Sequence, residues 1–458
     1  MQDIYRYIDD HLSESIAELT ELCRLPSVSA QGSAIQETAE HLARVLQGLG
    51  FETRILPKPA LSEVEGPTRG QPIVYAELRG ASTKTLLFYD HYDVQPPEPL
   101  ELWSSPPFQP TLRDGNLYGR GVCDNKGNIA ARLAAIRAWL QVRGGIPCSL
   151  KFCIEGDEEI GSPHIEEFVA EHRDLLSADA CLWEGSGVNW AGVPQVILGV
   201  KGLLYVELES GTINRDAHSS YGAVLPNAAW RLAWALSIIK GPDERILIDG
   251  FYDTIRPPTA EERVAVEAMP PEEEETLRMY GIEEALIGVR GLDYRLRHLF
   301  EPTATIDGLS SGYEGEGPKT VIPARALAKM DFRLVPDQDP DDILEKLRRH
   351  LERRGFADVK VRLLSNERPA RTPVMEPFVE VVRAALREVY GREPIIVPTM
   401  AGTGPLYPFI ATLGLPTADC GIGYPDARIH APDENIRIED FLRGTKAIAA
   451  LIGRFGAP

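Results

Sequence analysis

The sequence predicts an α/β protein, a layered domain with a central mixed sheet flanked by helices, interrupted by a smaller α+β domain. Three observations predict it. Through residue 198, short apolar runs alternate with stretches of helical period, the pattern of a sheet with helices on its faces. Near residue 199 the texture changes to a mixture of strands and helices with one acidic excursion. After residue 371 a long helical stretch and a strand-like run return, so the final part is expected to rejoin the first domain and leave the middle as an insertion. The expected division is 1–198, 199–370 and 371–458, since 458 residues exceed one ordinary core.

Taken in order, residues 1–24 read as one amphipathic helix, with Ile4, Ile8, Leu12, Ile16, Leu19 and Leu22 recurring every three or four positions. Pro26 should stop it, because proline disfavours helix in the residue before it. A second helix follows over residues 35–49, ended by Gly50. Apolar runs at 73–78, 85–89, 149–154 and 180–183 read as buried strands, with an Ala-rich helix at 127–142 between the second and third. The middle domain offers strands at 203–208, 327–334 and 359–364 and helices at 227–239 and 340–353. Its acidic excursion, residues 257–280, reads as a solvated helix or loop without a catalytic part. A helix at 376–390 and a strand at 395–398 lead to a tail holding His430.

Hydrophobic residues make up 43% and charged residues 25%, the balance of a globular chain. The formal charge of −20 would repel nucleic acid rather than steer it in. Cys23, Cys123, Cys148, Cys153, Cys181 and Cys420 are scattered without a C-x-x-C pair, so neither a zinc knuckle nor a disulfide scaffold is indicated. The opening MQDIYRYIDDHLSES places acids where a signal peptide needs a basic end, and no apolar stretch approaches a membrane span. The expectation is a cytoplasmic protein with no membrane and no nucleic-acid partner.

Five short motifs carry chemistry. In Leu86-Leu87-Phe88-Tyr89-Asp90-His91-Tyr92-Asp93 an apolar strand runs into a polar His-x-Asp, and ligands bind at the C-terminal strand ends of such sheets. Asp93 is placed to hold His91 in one tautomer and make it a better metal ligand, although a plain loop histidine beside a loop aspartate has the same sequence. In Tyr118-Gly119-Arg120-Gly121-Val122-Cys123-Asp124-Asn125-Lys126-Gly127, glycines crowd around one acid just before a helix. Asp124 is then a site residue or a helix N-cap. In Phe152-Cys153-Ile154-Glu155-Gly156-Asp157-Glu158-Glu159, acids crowd a strand end and repel one another unless cations compensate. Glu158 and Glu159 can divide the work, one ligating metal and one handling protons. Glu184 follows another apolar strand and taken alone reads as a plain surface glutamate. His430 stands in Ala427-Arg428-Ile429-His430-Ala431-Pro432-Asp433-Glu434, where a lone histidine is more often structural than a ligand.

In this order the motifs resemble the M20 metallopeptidase family, which includes aminoacylases, acetylornithine and succinyl-diaminopimelate deacylases, glutamate carboxypeptidases and carnosinase-like dipeptidases. The likeness runs over nearly the whole chain. It implies two divalent metal ions per chain, zinc first, with manganese and cobalt as alternatives that His and carboxylate ligands also suit. Asp124 would bridge them, His91 and Glu184 completing one and Glu159 and His430 the other. Glu158 would be the general base for a metal-bridging water, and Asp93 the carboxylate that orients His91. The resemblance also implies a cis peptide after Asp124 and a catalytic domain interrupted by a lid that dimerises.

Within the lid, Asp216-Ala217-His218-Ser219-Ser220-Tyr221-Gly222 resembles the family segment whose histidine reaches the partner subunit's site and stabilises the oxyanion, with Ser220 where glycine is usual. Thr320 and Arg333 resemble the carnosinase-like pair in which the arginine grips the substrate's terminal carboxylate, a task suited to a guanidinium fork. Thr403 and Gly404, in Gly402-Thr403-Gly404-Pro405, occupy the place of the family's small-residue substrate loop. Two departures stand out. Carnosinase-like members usually carry aspartate where this chain has Glu184, whereas carboxypeptidases and deacylases carry glutamate. They also carry a histidine before the last long helix, and none lies between His350 and His430. The expected activity is cleavage of a dipeptide or small peptide with a free carboxylate, with N-acyl-amino-acid deacylation as the alternative.

Overall fold

The computed structural model describes residues 1–57 and 70–457. They form two compact units, Met1–Gly199 with Arg371–Pro398 and Pro405–Pro458, and Val200–Ala370 with Thr399–Gly404. The chain thus enters the second unit twice. The short second visit, 399–404, has no signature in composition.

The first unit is built on a six-stranded mixed sheet, ordered Glu52–Leu56, Ile73–Leu78, Ser149–Glu155, Thr85–His91, Ala180–Trp183 and Thr417–Asp419. The first two pairings are antiparallel. The three that follow, around Thr85–His91 and out to Thr417–Asp419, are parallel. Strands covered on both faces read as unbroken apolar runs, and Leu86, Leu87, Phe88 and Tyr89 are all fully buried. Helices Gln2–Asp10, Leu12–Cys23, Ile35–Gly48, Lys126–Arg143, Pro377–Tyr390 and Ile438–Phe455 pack their apolar faces into the same core.

The expected single N-terminal helix is two, broken at His11 (φ −111°, ψ 17°). The His11 ring stacks on Tyr7 and Nδ1 bonds the Tyr7 carbonyl, so the side chain takes over an acceptor at the junction. The strand Glu52–Leu56 was not anticipated. It sits at the sheet edge with a half-exposed, polar-rich sequence, so it lacks the apolar run that marked the others.

The second unit is an antiparallel sheet ordered Thr303–Ser311, Arg325–Leu334, Gly202–Gly211 and Lys360–Glu367. Burial alternates strictly along Gly202–Gly211, the period of a sheet with one covered face. Helices Ala228–Ser237 and Pro340–Arg353 supply that cover. Pro340–Arg353 starts cleanly because Asp339 accepts from the backbone N–H of Asp341 and Asp342 and proline fills the first turn. The acidic excursion holds two helices, Ala260–Ala268 and Glu273–Tyr280, followed by a third, Gly291–Phe300. The edge strand Thr303–Ser311 escaped the sequence reading, its residues being mostly exposed.

All six cysteines are buried and none is in a disulfide. Among the described residues no helix is long and apolar enough to cross a membrane.

Candidate metal centre

Parallel neighbours put their C-terminal ends side by side, and the order here places three such ends together. Thr85–His91 lies between Ser149–Glu155 and Ala180–Trp183, with His91 opposite Glu155 and Phe88 opposite Leu182. His91 is therefore delivered between the turn carrying Glu158 and Glu159 and the chain leaving Trp183 for Glu184. The short helix Glu158–Ile160 is held by Asp93, whose two carboxylate oxygens accept from the Glu158 and Glu159 backbone N–H at 3.2 and 3.0 Å. His91 Nδ1 bonds the Asp93 backbone carbonyl at 3.2 Å and lies 3.4 Å from its carboxylate, so one fully buried residue contacts the imidazole and fixes the neighbouring turn.

Asp124 comes from the loop ahead of the helix Lys126–Arg143, and its peptide bond to Asn125 is cis. A Cβ on Gly127 would stand 2.0 Å from the Val122 carbonyl oxygen, so only glycine lets the helix start this close to the loop. The loop is gripped by Glu434. Its carboxylate accepts from Arg120 Nη1 (2.8 Å) and from the backbone N–H of Gly121 (2.9 Å), Cys123 (3.0 Å) and Asp124 (3.1 Å). Four donors on one buried acid are what keeps such a charge tolerable inside a protein. His430 stands four residues earlier, at φ 64°, and Arg428 and Asp433 are also left-handed. Such dihedrals cost non-glycine residues about 1 kcal/mol each and cluster where geometry serves a site.

A second buried clamp holds the strand ends. Arg132 donates through Nη1 to the Tyr89 carbonyl (2.7 Å) and the Asp90 carboxylate (2.5 Å), and through Nη2 to the Trp183 and Glu184 carbonyls (2.9 and 2.7 Å). Asp90, in turn, accepts from Asn125 Nδ2 at 3.4 Å. Sequence reasoning missed Glu434, Arg120, Asp90 and Arg132. Asp90 and Glu434 adjoin the motifs, but a charge that will be buried looks like any other charge until its partner is known.

The structure brings together all six residues of the expected centre. His91 Nε2 lies 3.0 Å from Asp124 Oδ1, 3.3 Å from Glu184 Oε2 and 3.8 Å from Glu158 Oε2. His430 Nε2 lies 3.1 Å from Asp124 Oδ2 and 3.0 Å from Glu159 Oε2. Asp124 thus turns one oxygen to each histidine. One ligand atom from each of His91, Asp124 and Glu159 falls within 4.8 Å of the others. A cavity of about 300 Å³ opens beside Asp124 and Glu184, walled by the chains at 185–188 and 423–425.

Electrostatics test whether cations fit here. Burial and the charges of Glu184, Glu159 and Asp124 drive Glu158 well above the usual carboxylate range, despite His91. Burial pushes Glu184 up to about 8. Burial would depress His91, but Glu158, Asp124 and Asp93 outweigh it and raise it well above normal. Hydrogen bonds to Asp124 and Glu159 carry His430 up to about 10. The shifts on Glu158, Glu184, His91 and His430 mark a demand for positive charge, while the two histidines hold Asp124 below the usual carboxylate range. Glu184 Oε2 is buried and makes no hydrogen bond, with the His91 imidazole 3.3 Å away, so it has a lone pair that a cation would take up. The residues fit divalent cations.

The remaining candidates lie in the second unit. His218 is exposed, its Nδ1 accepting from the Ser220 backbone N–H at 3.1 Å. It pairs with Val321 across a two-stranded ribbon in which the Ser219 N–H donates to the Thr320 carbonyl, so His218 and Thr320 share one piece of backbone. Arg333 Nη1 donates to Thr403 Oγ1 at 2.6 Å, joining two residues that the sequence singled out separately. Gly404 closes the same 399–404 segment.

A parallel strand end carrying His91, with carboxylates and His430 brought to it from the neighbouring turns and loops, makes a candidate metal site. The family model described as Peptidase family M20/M25/M40 matches residues 87–454, and the chain belongs to that family. It is 28% identical to the human Beta-Ala-His dipeptidase over 98% of this chain and 92% of that one. It is 25% identical to the Cys-Gly metallodipeptidase dug1 of Schizosaccharomyces pombe over 99% of this chain and 98% of that one. Among solved structures, the M20 family metallo-carboxypeptidase Sso-CP2 from Sulfolobus solfataricus superposes with a TM-score of 0.90 at 37% identity, covering 97% of this chain and 99% of that one.

Proposed function

We propose that the protein hydrolyses the amide bond of a dipeptide or small peptide with a free C-terminal carboxylate, using two divalent cations. The observation that carries it is Asp124 presenting one oxygen to each of two His–carboxylate pairs, His91 with Glu184 and His430 with Glu159. Zinc suits this donor set, as do manganese and cobalt. When bound, the cations supply Lewis acidity and bring a water to reactivity near neutral pH. Glu158 accepts that water's proton and passes it to the leaving amine. Its position beside His91, outside the two pairs, suits a proton carrier rather than a ligand. Asp93 orients His91 through Nδ1.

Substrate binding falls to the second unit. Arg333, braced by Thr403, grips the terminal carboxylate, and Gly404 and Thr320 line its approach. His218 stabilises the oxyanion from the partner of a homodimer built through this unit. Exposed Trp230 and Trp234 on the helix Ala228–Ser237 and exposed Ile306 and Leu309 on the edge strand support such an interface. Six buried cysteines outside any disulfide suit the reducing cytoplasm.

A second reading, N-acyl-amino-acid deacylation, is favoured by Glu184, which deacylase-type members share. One panel separates the two: dipeptides, tripeptides and N-acetyl and N-succinyl amino acids, assayed with each metal restored. Peptide turnover that collapses when the C-terminal carboxylate is amidated is the expected result. Turnover of acyl amino acids alone would replace this reading with the second. Arg333→Lys should raise KM by about tenfold for free-carboxylate substrates, since an ammonium replaces a bidentate fork.

A further inference from the structure

The second unit holds a cavity of about 270 Å³ with two unlike walls. One wall is cationic, carrying Arg333 and Lys201. Another part of the lining is apolar, made by Ala285, Leu286, Val289 and the Tyr294 ring. We propose that this cavity receives the side chain of the residue bearing the free carboxylate, and that it selects an apolar one. The proposal rests on Arg333 gripping that carboxylate.

Three features make it a built site. Lys201 is 1% exposed, and its ammonium donates only to backbone oxygens, those of His298 (2.7 Å) and Glu301 (2.6 Å). Burial first, and the neighbouring Arg333 second, push it down to about 8. Its own N–H donates to the Gly402 carbonyl, tying this cation to the segment that braces Arg333 through Thr403. Asp331 lies 3.4 Å from Arg333 Nε, which leaves the Nη groups beyond the Thr403 bond to face a ligand carboxylate. Arg297, also on the wall, is already paired with Glu301 at 2.7 Å.

The apolar wall is not consumed by packing. Leu286 remains 57% exposed and lies outside the small cluster of Val266, Leu299 and Phe300 that closes this part of the unit. Ile287, next to it, is held at φ 51°, a costly conformation for a β-branched residue that keeps the short turn Leu286–Gly288 in place. The volume lies at the lower end for ligand pockets and suits one amino-acid residue rather than an extended peptide. A basic side chain there would meet Lys201 and Arg333, and any charged one would lose water against Leu286 and Val289.

The test compares kcat/KM for Ala-Leu, Ala-Gly, Ala-Asp and Ala-Lys on the metal-loaded protein and on Leu286→Lys. Ala-Leu should exceed Ala-Gly by about tenfold and Ala-Lys by more. Leu286→Lys should bring the Leu/Gly ratio to near one and raise Ala-Asp relative to Ala-Leu. Equal turnover of Ala-Leu and Ala-Gly by the unaltered protein, or a ratio unmoved by the substitution, overturns the pocket. Calorimetric binding of N-acetyl-leucine, N-acetyl-glycine and N-acetyl-leucinamide reads the site independently of peptidase activity. Tighter binding of N-acetyl-leucine than of both others sustains the pocket even if no dipeptide is cleaved, a result that would overturn the proposed function alone. Equal affinities overturn the pocket whatever is hydrolysed.

Discussion

Glu434 accepts four hydrogen bonds with one carboxylate, and the acceptor pattern is complete on both oxygens. Glu434→Gln should therefore do more than remove a charge, because its amide N–H must point at Arg120 and Gly121 or at Cys123 and Asp124. Donor facing donor in a buried site costs about 3 kcal/mol or more. The expected outcome is a lower denaturation midpoint together with weaker metal binding, read by urea titration and by metal content after dialysis. An unchanged metal content would remove Glu434 from the support of Asp124. Glu158 predicts the opposite pattern. Glu158→Ala should keep both metals, measured by elemental analysis, and lose turnover by at least about a hundredfold. Retained activity would exclude it as the base. Glu158 was legible in the sequence because four acids at one strand end are conspicuous. Glu434 was not, since an acid in a polar tail shows nothing of the N–H groups that will surround it.

At the level of elements, the helix Lys126–Arg143 does two jobs. Its N-terminus follows the Asp124 loop, and Arg132, less than two turns on, ties together the ends of Thr85–His91 and Ala180–Trp183. Arg132→Met leaves Asp90 buried without its cation, and about 3–5 kcal/mol of stability should be lost. The double variant Arg132→Met/Asp90→Leu should recover much of that stability. It should not recover full metal affinity, because the Trp183 and Glu184 carbonyls remain unanchored. If both return together, the clamp acts on stability alone. The elements themselves were largely readable. Strands covered on both faces announce themselves as apolar runs, and Pro340–Arg353 announces itself by cap and proline. The edge strands Glu52–Leu56 and Thr303–Ser311 did not, since partly exposed strands need no apolar run.

For the whole molecule, the centre concentrates four carboxylates around two imidazoles, and in metal-free protein protons must offset their repulsion. Chelation should therefore abolish turnover and lower the melting temperature by several degrees, since metal binds the folded centre and not the unfolded chain. Restoring zinc, manganese or cobalt should return both, and the stoichiometry should reach two ions per chain. A single ion would sink the bridged arrangement. The net charge of −20 lies partly in the acidic helices of the second unit.

The sequence by itself determined the class of sheet, a local fact written in apolar period. Its ordered motifs, through their resemblance to a family, also named the six residues that the structure brings together. Only the tertiary structure decided which oxygen of Asp124 faces which histidine, and which buried partners hold the ligands still. The Arg120–Glu434 pair spans 314 residues, and segment 399–404 joins a unit that the chain had left at Ala370. Burial decides such partners. Solvent makes exposed charges interchangeable, whereas an interior obliges each one to find a specific donor or acceptor.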